Sequence, residues 1–283
     1  MHAIPGNPFA KEGRMPQAVY ENLQRHYNLD KPYIVQYWLY LKSLARLDLG
    51  PSMKSSTLTV NDYIRKGFPV SAHLGVQALL TALTFGLVLG VVAALRHNRW
   101  ADHFSMVLAI VGISVPSFVL ATVLQNYAAV QWKLLPVATW KSWWHTILPT
   151  MSLAAMPTAF IARLMRSSML EVLNQDYIKT AKAKGLSAST VIIKHAIRNA
   201  ILPIVTVLGI IVTNLLTGSF IIEKIFGIPG MGEMFVKSIS NRDYPVILGS
   251  TIFYSAVLTI LTLVVDIAYK FIDPRIKVTG GSE

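Results

Sequence analysis

Cysteine is absent from this 283-residue chain, so neither disulfides nor thiolate-bound metals can organise it. Charge is scarce too: 14% of residues are Asp, Glu, Lys or Arg, against about 25% in an ordinary soluble domain. Hydrophobic residues make up 53% and mean hydropathy is +0.48, a balance that points to a lipid environment. No solenoid, heptad or collagen period runs through the chain, and its only low-complexity tract is the polar end at 280–283.

Catalytic signatures are missing as well. There is no G-x-x-x-x-G-K-[ST], so the chain lacks the usual phosphate-cradling loop, and no H-E-x-x-H. The glycine cluster Phe226-Gly227-Ile228-Pro229-Gly230-Met231-Gly232 has no basic phosphate ligand in register and reads as a tight turn. Gly112-Ile113-Ser114-Val115-Pro116 lacks the second glycine of a nucleophile elbow. His97 and His103 flank Asp102 without a third ligand, which reads as solvated loop polarity rather than a metal site. No bond chemistry, bound cofactor or metal is expected of this chain.

What is present is a series of apolar runs. A spanning helix needs about 20 apolar residues, and five segments qualify: 74–95, 104–130, 143–162, 201–222 and 246–269. The class is therefore all-α and polytopic. Proline is tolerated in lipid where neighbours re-satisfy the freed carbonyl, so Pro116, Pro149 and Pro157 mark kinks or helix starts. Asp266 is the ionisable group within a span, with Lys270 one turn on as its expected ion-pair partner. Gln125, Asn126 and Asn214 are polar amides in the spans, suited to lining a solute path or to interhelical hydrogen bonds.

The net charge of +12 would suggest nucleic acid in a soluble protein, but here its distribution reports topology. Segments 96–103, 163–200 and 270–283 hold 12 Lys and Arg, whereas 131–146 and 224–245 hold five. The first set is expected in the cytoplasm. That leaves residues 1–73 outside as an extracytoplasmic segment, with a helix near 34–44, a Leu49-Gly50-Pro51-Ser52 turn and an amphipathic stretch at 60–66 leading to the first span. An external loop at 224–245 and a cytoplasmic tail at 271–283 complete the plan around a membrane domain at 74–270. Because residues 1–73 carry nine Lys and Arg, the topology predicts a further span ahead of Met1.

Residues 163–200 form the largest cytoplasmic segment. Met169, Leu170, Leu173, Tyr177, Ile178 and Ala181 recur at helical spacing, opposite Glu171, Asn174, Gln175 and Lys182. Gly185 is expected to end that helix and Ser187 to cap a second one, which leads into the span at Ile201. Small Ala181 and Ala183 would admit another protein's backbone at this elbow, and Lys182 and Lys184 would meet acidic groups at its rim. Spacing alone leaves two uses open, a basic helix pair on anionic lipid or a docking knob for a cytoplasmic protein.

The run from Asp176 through Leu186, with Lys194-His195-Ala196-Ile197-Arg198-Asn199-Ala200 and Ile201-Leu202-Pro203, resembles the cytoplasmic loop signature of ABC importer permeases in the peptide and nickel branch. The likeness continues through Gly112-Ile113-Ser114-Val115-Pro116-Ser117-Phe118, Phe160-Ile161-Ala162-Arg163, Gly218-Ser219-Phe220, the stretch from Glu223 to Gly230 and Asp273-Pro274-Arg275. It is most similar to the B-type permease subunit of oligopeptide importers. Lys179-Thr180-Ala181 stands where the wider signature has Glu-Ala-Ala, and the family's six spans begin ahead of a Pro-Gly-x-Pro element matched by Pro5-Gly6-Asn7-Pro8.

The resemblance implies a type I importer fold in a bacterial plasma membrane. It also implies a second homologous permease subunit, two ATPase subunits that use ATP and Mg, and an extracytoplasmic peptide-binding protein. Tyr177, Thr180, Ala181, Lys182, Ala183, Lys184, Gly185 and Leu186 would dock the ATPase and couple its hydrolysis to alternating access for oligopeptides. A self-contained secondary carrier or channel with a lipid-binding loop is the alternative.

Overall fold

The computed structural model describes residues 17–55 and 57–272, with side chains other than those of 17–19, 213, 214, 216–218, 266 and 268–272. Pro5-Gly6-Asn7-Pro8, Asp273-Pro274-Arg275 and the tail lie outside the described residues. So do the Asp266–Lys270 pair and the Asn214 side chain. Among the described residues the structure is helical, with one isolated bridge between Pro51 and Thr59.

Two compact units are distinguished, Met1–Val70 with Pro229–Ala256, and Ser71–Ile228 with Val257–Glu283. In the first, α1 (Gln17–His26) and α2 (Tyr33–Leu44) precede the beginning of α3 (Val60–Leu95), and α11 (Met231–Asn241) leads to the beginning of α12 (Tyr244–Ile272). Its small core gathers Tyr20, Leu23, Tyr27 and Leu29 around Met53 and Tyr244. A buried aspartate pins the polar turn: Asp243 accepts from the Met53 amide at 3.0 Å and from the Ser52 hydroxyl, while Tyr27 donates to the Ser52 carbonyl at 2.8 Å.

Asp243 is delivered there by backbone geometry. Arg242 adopts a left-handed φ of 57°, and the Asp243 amide closes back on the Ser238 carbonyl at 2.8 Å, ending α11. Helix α1 had no counterpart in the sequence reading; Tyr20 and Leu23 make too short an apolar stripe to stand out, yet both pack into this core.

The second unit holds the rest of α3 and then α4 (Trp100–Ser114), α5 (Ser117–Leu124), α6 (Trp144–Leu173), the elbow and α10 (Leu202–Phe226). Helix α6 is its hub, packing against α4, α5 and α10. Among the described residues three helices are long and apolar enough to cross a bilayer, Val60–Leu95, Trp144–Leu173 and Tyr244–Val265; counting two bent pairs as one span each makes five.

The details differ from the expected spans in two places. The amphipathic stretch at 60–66 is continuous with the first span, giving a 36-residue helix with Pro69 inside. At 1.5 Å per residue such a helix is about 54 Å long, well beyond the ~30 Å hydrocarbon core. The expected second span is broken: α4 and the segment Ser117–Gln131 meet at 105°. Pro116 explains the break, since Val115 before it is extended (ψ 119°) and the ring cannot donate to a helix ladder.

Close approach of α3 to α6 has its own sequence cause. Gly86 and Gly90 lie one turn apart; a Cβ on Gly86 would sit 2.8 Å from Ile161, and one on Gly90 would sit 2.6 Å from the Ala162 carbonyl. This is a small-xxx-small contact, which brings helix backbones together where lipid supplies no hydrophobic drive. The 86–90 spacing was the signal that sequence reasoning passed over.

Candidate functional site

The elbow between α6 and α10 is built from local chain chemistry. After Leu173 the helix stops: Gln175 is extended (ψ 149°), and the Asn174 side chain donates back to the Leu170 carbonyl at 2.9 Å. Helix α7 (Asp176–Ala183) then runs for only eight residues. The single long helix expected through 169–181 is therefore two, because the Asn-Gln pair satisfies its backbone locally instead of continuing the ladder.

Gly185 ends α7 as expected, and the mechanism is explicit. Its φ is +76°, its amide donates to the Lys182 carbonyl at 3.0 Å, and the Leu186 amide donates to the Ala181 carbonyl at 3.3 Å. Those two reversed bonds are a Schellman cap, which needs a left-handed residue at its corner. Nothing lies within 4 Å of a Cβ placed at Gly185, so the corner points into open space.

Ser187 begins the return, accepting the Thr190 amide at 3.4 Å. From it runs one rod, Ala188–Ala200, made of α8 (Ala188–Thr190), a π-wound stretch Val191–Ile197 and α9 (Arg198–Ala200). It bends 49° into α10 at Ile201, with Pro203 in the first turn where its missing N–H costs little.

Burial sorts the expected docking residues into two sets. Ile178, Val191, Ala196 and Ala200 are buried, and α7 packs on the π-wound stretch. Ala181 is buried with them. It packs the elbow internally and is not a face for another protein's backbone, contrary to the expectation from its size. Tyr177, Thr180, Lys182, Ala183, Lys184, Gly185 and Leu186 are exposed, and Ile193 joins them at 64%. The Lys179–Asp176 pair at 2.8 Å is fully solvated and contributes little.

The C-terminal half of α6 carries a feature that spacing could not reveal. Asp102, expected to be solvated, is 1% exposed. It is gripped by Arg166 through both oxygens, at 2.5 and 2.8 Å, and receives the Asn98 amide at 3.0 Å; His97 Nδ1 lies 3.2 Å away. Its partner is 64 residues distant in sequence, which no local pattern reports. Glu223, in the last turn of α10, is likewise fully buried, so Asp266 is not the sole ionisable group within the apolar helices.

The expected path amides are placed differently from one another. Gln125 Nε2 donates to the Val137 carbonyl at 2.8 Å and to the Ile225 carbonyl at 3.3 Å, tying a loop to the end of α10. Asn126 is exposed. No group of three or more metal-ligating side chains occurs among the described residues.

Comparison with known proteins gives a consistent answer. The chain is 57% identical over 277 residues to the dipeptide transport system permease protein DppB of Bacillus subtilis, covering 98% of this chain and 90% of that protein. It is 43% identical over 279 residues to the oligopeptide transport system permease protein OppB of Haemophilus influenzae, with 98% and 91% covered. Among solved structures, the fold resembles a chain of the inward-facing MetNI methionine ABC transporter, with a TM-score of 0.64 at 14% identity, covering 74% of this chain and 95% of that one. Residues 86–278, most of the described membrane unit, match the family of binding-protein-dependent transport system inner membrane components. The chain belongs to that family of inner membrane transport components.

Proposed function

We propose that this chain is one membrane subunit of an ATP-driven peptide importer. It pairs with a second homologous permease, two cytoplasmic ATPase subunits and an extracytoplasmic peptide-binding protein. The observation that carries the reading is the Gly185-cornered elbow, whose inner face packs on its own rod while Tyr177 and Leu186 stay bare.

Family membership supports a membrane subunit served by ATPase and binding-protein partners. In the mechanism, the exposed residues Tyr177, Thr180, Lys182, Ala183, Lys184, Gly185 and Leu186 seat in an ATPase groove, and Ala181 braces them from beneath. ATP and its Mg stay with those partners, and ATP-driven closure tilts the elbow. The rod Ala188–Ala200 carries the motion into α10, and α6 carries it to the helices it packs against. Alternating access results without bond chemistry in this chain.

Segments 96–103, 163–200 and the C-terminus face the cytoplasm of a bacterial cell, and residues 1–73 face outward. The basic bias of the loops supports this orientation. Peptide is the substrate class, since the relatives are named for dipeptides and oligopeptides alike. Our reading extends to oligopeptides, with Gln125, Asn126 and Asn214 along the path.

The test is reconstitution with both ATPases, a second permease and the binding protein in liposomes. Uptake of labelled di- and pentapeptides that needs ATP and every partner is expected. Uptake by this chain alone, indifferent to ATP, would favour a self-contained carrier instead.

A further inference from the structure

Helix α2 leaves more apolar surface uncovered than a helix in water would. Its polar Ser43 and the Tyr40 ring line a cavity beside Tyr27, Met53 and Leu248, whereas Ile34 and Trp38 are 73% and 65% exposed. Tyr33 and Tyr37 also line that cavity yet remain 69% and 60% exposed, and no residue of the helix is buried. Between Lys31 and Lys42 the chain carries no charge at all. A soluble surface of this kind would be an aggregation liability.

We infer that α2 lies in the membrane–water interface, its Ile34–Trp38 face sunk among phospholipid acyl chains and headgroups. Three observations commit the face to lipid. Its residues are of the interfacial type, apolar rings with a polar tip at Tyr33, Tyr37 and Trp38. Its far end abuts a bilayer-length helix: Leu44 and Leu47 face Ile252, Phe253 and Ala256 of α12 across a cavity of about 480 Å³. The same helix is apolar enough to span a bilayer and has little of that surface covered within this chain, so the membrane region reaches this unit. Finally, a docking partner that dissociates would leave the face in water each cycle, whereas lipid covers it permanently.

In the orientation proposed above the leaflet is the outer one. The inference itself needs only the membrane spans and does not depend on the substrate or on ATP coupling. Anchored at this depth, α2 would hold the turn at Ser52 and Asp243 at a fixed height over the bilayer.

The chain has no native cysteine, so single spin labels can be placed cleanly. Ile34→Cys and Trp38→Cys are labelled in the full transporter in phosphatidylethanolamine–phosphatidylglycerol liposomes, with exposed Arg46→Cys as the aqueous control. Collisions with oxygen and with a water-soluble nickel chelate are then compared. We expect positions 34 and 38 to gain oxygen broadening and lose nickel broadening relative to 46, with no change on adding the binding protein. Nickel access at 34 and 38 equal to that at 46 overturns the inference. So does access that is lost only when the binding protein is present, which would assign the face to that protein. Peptide uptake measured on the same liposomes separates a failure here from a failure of the transport reading.

Discussion

Asp102 at the start of α4 and Arg166 on α6 form a two-pronged ion pair, Nε to Oδ1 at 2.5 Å and Nη2 to Oδ2 at 2.8 Å. It fastens the helix after the first span to the helix that runs down to the elbow. Asp102 also sits in the first turn of α4, where the helix dipole favours a negative charge.

Asp102→Asn leaves the Arg166 guanidinium without its counter-charge in a largely enclosed site. Breaking one partner of such a pair costs about 3 kcal/mol. A thermal melt of the purified transporter is expected to show lowered stability. Exchanging the two residues, Asp102→Arg with Arg166→Asp, is expected to recover part of the loss; a double mutant no better than the sum of the singles would show that the two do not interact.

The α3–α6 contact makes a sharper steric prediction. Gly90→Ala places a methyl 2.6 Å from the Ala162 carbonyl, a backbone atom that cannot swing aside, so the helices must part. Gly209→Ala, whose nearest neighbour would be Val265 at 3.8 Å, is expected to be tolerated. Expression and melting temperature of the two variants, side by side, check this; equal stability would contradict the close approach.

Tyr27 predicts alkaline behaviour in the N-terminal segment. Burial, followed by the charge of Asp243, pushes its hydroxyl pKa up. A group whose folded pKa is raised favours folding while protonated. Its contribution is therefore present below about 10 and is lost as pH rises through the higher folded value. Tyr27→Phe removes the hydrogen bond to the Ser52 carbonyl, at a cost of about 1 kcal/mol. It should also flatten the alkaline loss of protease resistance in this segment, and an unchanged alkaline slope would refute the assignment.

Local chemistry was legible in the sequence and long-range pairing was not. Gly185 and Ser187 declared their caps because a left-handed corner and an N-terminal hydroxyl are properties of single residues. The spans were visible because lipid demands long apolar runs, and Pro116 was marked as a kink or helix start, but a proline alone does not tell a mild kink from the 105° break found there. Helix α7 ended up shorter than its periodicity implied because Asn174 and Gln175 interrupt an apolar stripe that itself carries straight through. Asp102 read as solvated because Arg166 lies 64 residues away, and Ala181 read as a docking surface because small size fits internal packing equally well.

The central claim is that the Gly185 corner passes ATPase motion to the membrane helices, and two substitutions at one residue test it. Gly185→Ala has open space for its methyl and bears only the left-handed backbone cost, about 1 kcal/mol. Gly185→Asp adds a charge to the proposed interface. The decisive measurement is binding-protein-stimulated ATP hydrolysis alongside peptide uptake in liposomes containing each variant. Gly185→Ala is expected to retain most of both, and Gly185→Asp to insert and fold normally but lose stimulated hydrolysis and uptake together. Stimulation and uptake at the unsubstituted level in Gly185→Asp would contradict the account.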